Sequence, residues 1–164
     1  MIKNNMQPNC IEIDKKIRIV KTDRSRWREA YKWYQNEKIM YYSEGVKGKT
    51  YDLQVIEKMY SYLSNIGELY FIEIYENENW ISIGDVTLSS ENFPIVIGDE
   101  KYWGLGIGKK VIEVLINRAR EIKMESITIP EIYKYNDRSK ALFVSLGFKK
   151  IDENEKSEKF KLIL

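Results

Sequence analysis

The sequence predicts an α/β fold in a single domain, with a mixed sheet of six to seven strands flanked by about four helices. Three observations carry this. The 164 residues suit one domain and bury about two-thirds of the surface that the unfolded chain exposes. No stretch is rich enough in Pro, Gly or Ser to serve as a linker, and no segment repeats. Strand-like and helix-like patterns alternate in the order β-α-α-β-β-β-α-β-α-β-β, with hairpins early and one βαβ unit late. The domain spans 1–164, and the polar residues 1–10 are expected to be flexible.

Residues 11–20 alternate apolar and polar side chains around Asp14-Lys15-Lys16, the pattern of a strand or small hairpin. Thr22 or Asp23 caps a helix to about residue 36, with Trp27, Ala30, Tyr31 and Tyr34 on one face. Residues 43–49 contain Gly45 and Gly48 and read as a loop. Thr50 caps a second helix through residue 65. Its apolar positions are Leu53, Ile56, Tyr60 and Leu63, and Gly67 ends it. Strands follow over 68–76 and 80–88 about the turn Asn77-Glu78-Asn79. Residues 89–94 turn again, and Ile95-Val96-Ile97 is a short buried strand. A helix over 109–123 turns Ile112, Leu115, Ile116, Ala119 and Ile122 to the core. Residues 125–130 form a strand, Asn136 caps a short helix ending at Gly147, and 148–151 and 159–164 close the sheet.

Composition removes several chemistries. Histidine is absent and cysteine occurs once, as Cys10. No disulfide forms within the chain, and Cys/His zinc sites, Ser-His-Asp and Cys-His catalysis are excluded. Proton transfer falls to carboxylates, Tyr, Lys, backbone groups or water. Basic and acidic residues number 27 and 25, for a net charge of +2, which argues against a nucleic-acid binder. No apolar run reaches the roughly 20 residues that span a bilayer, and the N-terminus lacks an apolar signal core. A cytoplasmic protein without membrane or nucleic-acid partners is expected.

The most informative segment is Trp103-Gly104-Leu105-Gly106-Ile107-Gly108-Lys109, between a buried strand and a helix. Closely spaced glycines let backbone N–H groups approach a ligand, and the helix N-terminus adds unpaired donors and partial positive charge. The pattern fits a phosphate cradle, or else a tight turn with no ligand. A Walker loop requires glycine where Trp103 stands, and the dinucleotide fingerprint requires glycine where Lys109 stands.

Here the sequence resembles the GNAT N-acetyltransferases. Their acetyl-CoA motif, Arg/Gln-x-x-Gly-x-Gly/Ala, is matched from Trp103 to Gly108, with Trp103 in place of Arg/Gln. That replacement is familiar in the branch with aminoglycoside 6′-N-acetyltransferases and ribosomal-protein N-terminal acetyltransferases. A second family motif, Asn-x-x-Ala/Ser-x-x-x-Tyr-x-x-x-Gly-Phe, runs from Asn136 through Ser139 to Gly147-Phe148, with Phe143 at the tyrosine position. Asn36-Glu37, Tyr42, Gly45, Thr50-Tyr51 and Leu53 also resemble the aminoglycoside branch. The resemblance covers about residues 11–164, most densely 95–151.

The resemblance implies a GNAT fold and direct transfer of acetyl from acetyl-CoA to a primary amine, with no metal. The backbone of Ile95, Val96 and Ile97 is expected to hold the pantetheine arm like an added strand. Trp103, Gly104, Leu105, Gly106, Ile107, Gly108 and Lys109 are expected at the pyrophosphate, and Asn136, Ser139 and Phe143 at the cofactor's other side. The amine must lose a proton before attack. Asp99 is the first candidate base, followed by Asp85, with Glu91 and Glu100 as further carboxylates near strand ends. Because Phe143 cannot protonate the leaving thiolate, Tyr133 or Tyr135 replaces the tyrosine, or water does, or the thiolate leaves unaided. Trp27, Trp33, Tyr34, Tyr41, Tyr42 and Tyr51 either line the acceptor cleft or form helix core. A small polyamine or aminoglycoside-like acceptor is favoured. The alternatives are a peptide or protein N-terminal amine, and a non-catalytic acyl-CoA-binding regulatory module. Convergence of Glu44, Asp85, Glu91, Asp99 and Glu100 on one site would mark a polycation. Many family members pair as homodimers, and that state stays open here.

Overall fold

A computed structural model describes residues 6–164. The first half of the stretch expected to be flexible, 1–5, lies outside the described residues. Beyond it, Gln7 donates its side-chain amide to the Leu69 carbonyl at 2.8 Å, and β1 (Cys10–Glu12) pairs antiparallel with β2 (Ile17–Lys21). The small-hairpin reading holds, with Asp14 accepting from the backbone N–H of Lys16 and Ile17 to close the turn.

The helix expected from Thr22 or Asp23 to residue 36 does not form. Two 3₁₀ turns, Trp27–Ala30 and Trp33–Gln35, occupy that segment. The reason is visible in the spacing: Trp27, Ala30 and Trp33 are buried at intervals of three, the 3₁₀ period, and Tyr31, expected on the buried face, is 45% exposed. Asn36 opens a helix instead of ending one. Its side chain accepts from Lys38 N and Ile39 N, capping α1 (Glu37–Glu44), which closes at Gly45 in the left-handed region, φ 68°. The loop predicted from residue 43 therefore begins at Gly45. Asp52, not Thr50, caps α2 (Leu53–Ile66), accepting from Val55 N at 2.9 Å. Ile56, Tyr60 and Leu63 bury one stripe of it, while Leu53 stays exposed.

β3 (Glu68–Glu76) and β4 (Asn79–Leu88) form the long central hairpin. Asn77 and Glu78, both at positive φ, make the two-residue turn that fits strand twist. β5 (Ile95–Ile97) pairs with β4. α3 (Ile107–Glu121) starts two residues before the sequence-based boundary. β6 (Ser126–Tyr133), α4 (Asp137–Ser145), β7 (Lys149–Glu153) and β8 (Ser157–Ile163) complete the chain.

The α/β class holds, but the first helix lies at α1 and not over 22–36, and the expected mixed sheet with its late βαβ unit does not form, because β5 and β6 belong to different sheets. The strands form a five-stranded sheet, β1-β2-β3-β4-β5, and a three-stranded sheet, β6-β8-β7, and every described ladder is antiparallel. One face of the large sheet packs Tyr70, Ile72 and Val86 with Val111, Ile112 and Leu115 of α3, and this core continues into Ile127 and Phe160 of the small sheet. The other face packs Leu69 and Phe71 with Trp27, Trp33, Met40, Ile56 and Tyr60. Complete burial of such side chains contributes about 1.5–3 kcal/mol each.

Candidate active site

The two sheets meet at β5 and β6, and no ladder joins these strands among the described residues. The Thr128 N–H donates to the Ser90 carbonyl at 2.8 Å, tying the segments at one end. A cleft of about 800 Å³ lies between them, lined also by α1, α2, the glycine turn and the start of α4. This is the size range of a cofactor or small-molecule site.

One wall is built from backbone. Thr87 N donates to Pro94 O and Gly98 N to Ile83 O, so residues 94, 96 and 98 direct their hydrogen bonds to β4. By strand alternation, Ile95 and Ile97 turn their N–H and C=O groups away from β4. Gly84 permits the close pairing, since a Cβ there would overlap the Val96 carbonyl. The Ile97 carbonyl is already occupied, accepting from Trp103 Nε1 at 2.9 Å. Lys38 and Arg138 flank the Trp103 ring, 5.4 and 4.9 Å from its centroid, a cation–π arrangement on an indole face.

The glycine turn has the backbone of an anion cradle. Gly104 and Gly106 sit at φ 75° and 80°, and a Cβ on either would meet no protein atom within 4 Å. Gly106 is the N-cap of α3, whose first helical bond runs from Lys110 N to Gly106 O. The N–H groups of Ile107, Gly108 and Lys109 therefore lack intrahelical acceptors, and the helix adds partial positive charge at this end. These features fit a pyrophosphate. Ile95, Val96, Ile97, Trp103, Gly104, Gly106, Ile107, Gly108 and Lys109 all line the cleft, as do Asn136, Ser139 and Phe143. Leu105 does not, and is 64% exposed.

The other end of the cleft is closed by a clasp. Tyr133 Oη donates to the Glu44 carbonyl at 3.1 Å, Tyr135 Oη to Tyr41 O, and Asn136 Nδ2 to Tyr42 O at 3.4 Å. These are carbonyls of the last turn of α1, which have no helical partner. Asn136 acts twice, because its Oδ1 accepts from Ser139 N and caps α4. Tyr133 lies against Gly45, where a Cβ would overlap its ring. Tyr135 is stacked between Tyr41 and Tyr133, with centroids 4.2 and 5.5 Å away.

Glu44 and Glu131 line the cleft beside this clasp. Tyr51 Oη donates to Glu44 Oε2 at 3.0 Å, and Glu131 Oε2 lies 3.3 Å from Tyr133 Oη. Burial, and after it the Glu131 charge, push the Glu44 carboxyl above the usual range, while the Tyr51 hydrogen bond pulls it back. Burial and Glu131 likewise push the Tyr133 phenol up to about 12. Among the described residues no lysine or arginine pairs with Glu44 or Glu131.

The structure does not bring the two candidate aspartates into this wall. Asp85 is 1% exposed and accepts from Tyr34 Oη at 2.6 Å and Tyr60 Oη at 2.7 Å, beneath the aromatic core. Asp99 caps the 3₁₀ turn Glu100–Tyr102, accepting from Lys101 N. Glu91 and Glu100 are likewise absent from the lining, so the five named carboxylates do not converge. Tyr135 does line the cleft. Phe143 touches it while packing against Phe93 and Phe148. Trp27, Trp33 and Tyr34 are core, and Tyr42 faces the cleft. Glu131 was missed because it follows Pro130 in a strand expected to end there. The register shift between Ile129 and Ile132 carries β6 onward to Tyr133.

Comparison with known proteins agrees with this geometry. The model of the acetyltransferase (GNAT) family matches residues 27–148. A domain from Methanocaldococcus jannaschii superposes with a TM-score of 0.78 at 24% identity, covering 92% of this chain and 100% of that one. Spermidine N-acetyltransferase from Vibrio cholerae, solved with CoA and spermine, gives 0.70 at 16% identity, covering 92% and 96%. Ribosomal-protein-S5-alanine acetyltransferase from Vibrio fischeri gives 0.70 at 14%, covering 94% and 96%. No curated protein matches the chain significantly in sequence. With both motifs on one cleft and the family model spanning most of the chain, this protein belongs to the GNAT family and is an acetyl-CoA-dependent N-acetyltransferase.

Proposed function

We propose that the acceptor is a primary amine on a small polycation, a polyamine or an aminoglycoside-like compound. The observation that carries this reading is the pair Glu44 and Glu131, which line the cleft without a cationic partner among the described residues. A half-buried carboxylate, Glu44, beside an exposed one, Glu131, favours an ammonium ligand, and tyrosine faces add to that preference. Tyr42, Tyr62 and Tyr133 supply such faces in the same cleft. The Vibrio cholerae enzyme, which shares the fold, is a precedent for this acceptor class.

In this reading the N–H groups from Gly104 to Lys109 hold the pyrophosphate of CoA. The outward N–H and C=O of Ile95 and the outward N–H of Ile97 hold the pantetheine arm, with Val96 fixing β5 to β4 and the Ile97 carbonyl kept by Trp103. Asn136, Ser139 and Phe143 border the opposite side. Acetyl-CoA, when bound, supplies the thioester carbon that the amine attacks. The chain's own task is to orient the amine, exclude water and receive its proton.

The test is CoA thiol release with acetyl-CoA and a panel of 1,4-diaminobutane, spermidine, an aminoglycoside, butylamine and a peptide with a free N-terminus. Turnover is expected with the polycations, with KM rising as salt screens the carboxylates. Turnover of the peptide alone would replace this reading by N-terminal acetylation. Tight CoA binding with no turnover of any amine would replace it by a binding module.

A further inference from the structure

We propose that Glu44 is the group that takes the proton from the acceptor ammonium, and that Tyr51 positions it. This rests on the amine-acceptor reading above. Three carboxylates line the cleft, Glu44, Glu131 and Asp137. Asp137 is spent on an ion pair with Lys140 and its side chain is 92% exposed. Glu131 is exposed and lies by the Tyr133 hydroxyl. Glu44 alone is partly buried in the cleft wall, with one oxygen held by the Tyr51 hydroxyl. Two further bonds fix it: its own carbonyl accepts from Tyr133, and the Tyr41 carbonyl three residues earlier accepts from Tyr135. A proton acceptor needs held geometry and a place on the cleft wall, and Glu44 has both.

The proton balance is closed. Of the three ammonium protons, one passes to a Glu44 carboxylate oxygen and then to solvent as the amine lone pair is freed. The amine forms the C–N bond while the thioester C–S bond breaks. A second proton leaves nitrogen and ends on the thiolate through water, and the third stays on the amide. Nothing is oxidised or reduced.

The ionisable groups around Glu44 are Tyr51 before α2, Glu131 and Tyr133 on β6, and, deeper, Asp85 with Tyr34 and Tyr60. All are acids, so none offers Glu44 a fixed cation. The experiment measures kcat against pH for wild type, Glu44→Gln and Tyr51→Phe, using spermidine or the best amine of the panel. Calorimetry of that amine on the CoA-saturated protein gives a second readout. Glu44→Gln keeps the shape and the Tyr51 bond. Its kcat should fall about 100-fold or more and lose the acid limb of the profile, while amine affinity falls less than about tenfold. Tyr51→Phe removes a bond that favours the carboxylate, so the acid limb should move to higher pH. A Glu44→Gln variant with wild-type kcat and an intact acid limb would overturn the proposal and leave the amine reading standing. Loss of affinity alone would reduce Glu44 to a binding residue. Absence of turnover by wild type on every amine is the separate failure of the amine reading.

Discussion

Tyr135 carries a hydroxyl into the cleft of an enzyme whose Phe143 has none to give, yet its single proton points at the Tyr41 carbonyl. Burial, with the neighbouring tyrosines Tyr41 and Tyr42 and the Glu131 charge behind it, also raises its pKa, which makes it a poorer acid. The geometry therefore makes Tyr135 a positioning residue, part of the clasp that fixes the last turn of α1. Tyr135→Phe keeps the stack on Tyr41 and Tyr133 and loses one hydrogen bond, worth about 1 kcal/mol. Its KM for the amine should rise about fivefold while kcat stays within about threefold of wild type. Steady-state kinetics of the purified variant decide the point. A kcat lowered about 100-fold, with the basic limb of the profile gone, would return Tyr135 to the role of general acid.

At the scale of elements, legibility followed locality. The glycine turn and the start of α4 were readable because each is a local contract between residue type and backbone. Gly104 and Gly106 sit at positive φ, and Asn136 caps three residues ahead. α1 was not readable, because Asn36 looks alike as the end of one helix and as the cap of the next. The two 3₁₀ turns were hidden because Trp27, Ala30 and Trp33 also satisfy part of a helical pattern. Glu44 came into view as an active-site residue only with α1, since its place in the cleft depends on β6 residues about ninety positions away. The glycine turn makes its own prediction. Gly106→Glu places a carboxylate where the structure leaves open space beside the α3 N-terminus. CoA affinity measured by calorimetry should fall about 100-fold or more through repulsion and blocked N–H groups. The left-handed φ alone costs about 1–2 kcal/mol for a non-glycine residue. Gly48→Glu is the control, with φ 71°, an equally open Cβ position and no place in the cleft wall. It should show a similar loss of Tm and keep wild-type CoA affinity. Equal loss of affinity in both variants would make the turn structural only.

For the whole molecule, the large sheet separates two cores of different character. The α3 face is aliphatic with a few aromatics, whereas the α1 and α2 face is aromatic and encloses an ionisable group, Asp85. Burial raises the Asp85 pKa to about 6, more than the hydrogen bonds from Tyr34 and Tyr60 lower it, and the Glu44 charge adds to the rise. Unfolded, the same group titrates near about 3.9. The folded protein thus holds a proton that the unfolded chain releases between these values. The stability linked to Asp85 is therefore present below about pH 4 and lost as pH rises through about 6. The gap between the folded and unfolded values corresponds to about 3 kcal/mol. Asp85→Asn keeps an oxygen that can accept from both tyrosines and removes the titration. The difference in unfolding free energy between wild type and variant cancels the carboxylates that do not interact with Asp85, so its pH dependence reports Asp85 together with its coupling to Glu44. Denaturant unfolding from about pH 4 to pH 8 should show the variant gaining on wild type by about 3 kcal/mol across the range, with most of the change near pH 5. A difference that stays flat would mean that Asp85 remains ionised in the core throughout. The two tyrosine hydroxyls would then outweigh burial, and the aromatic core would enclose a permanent charge.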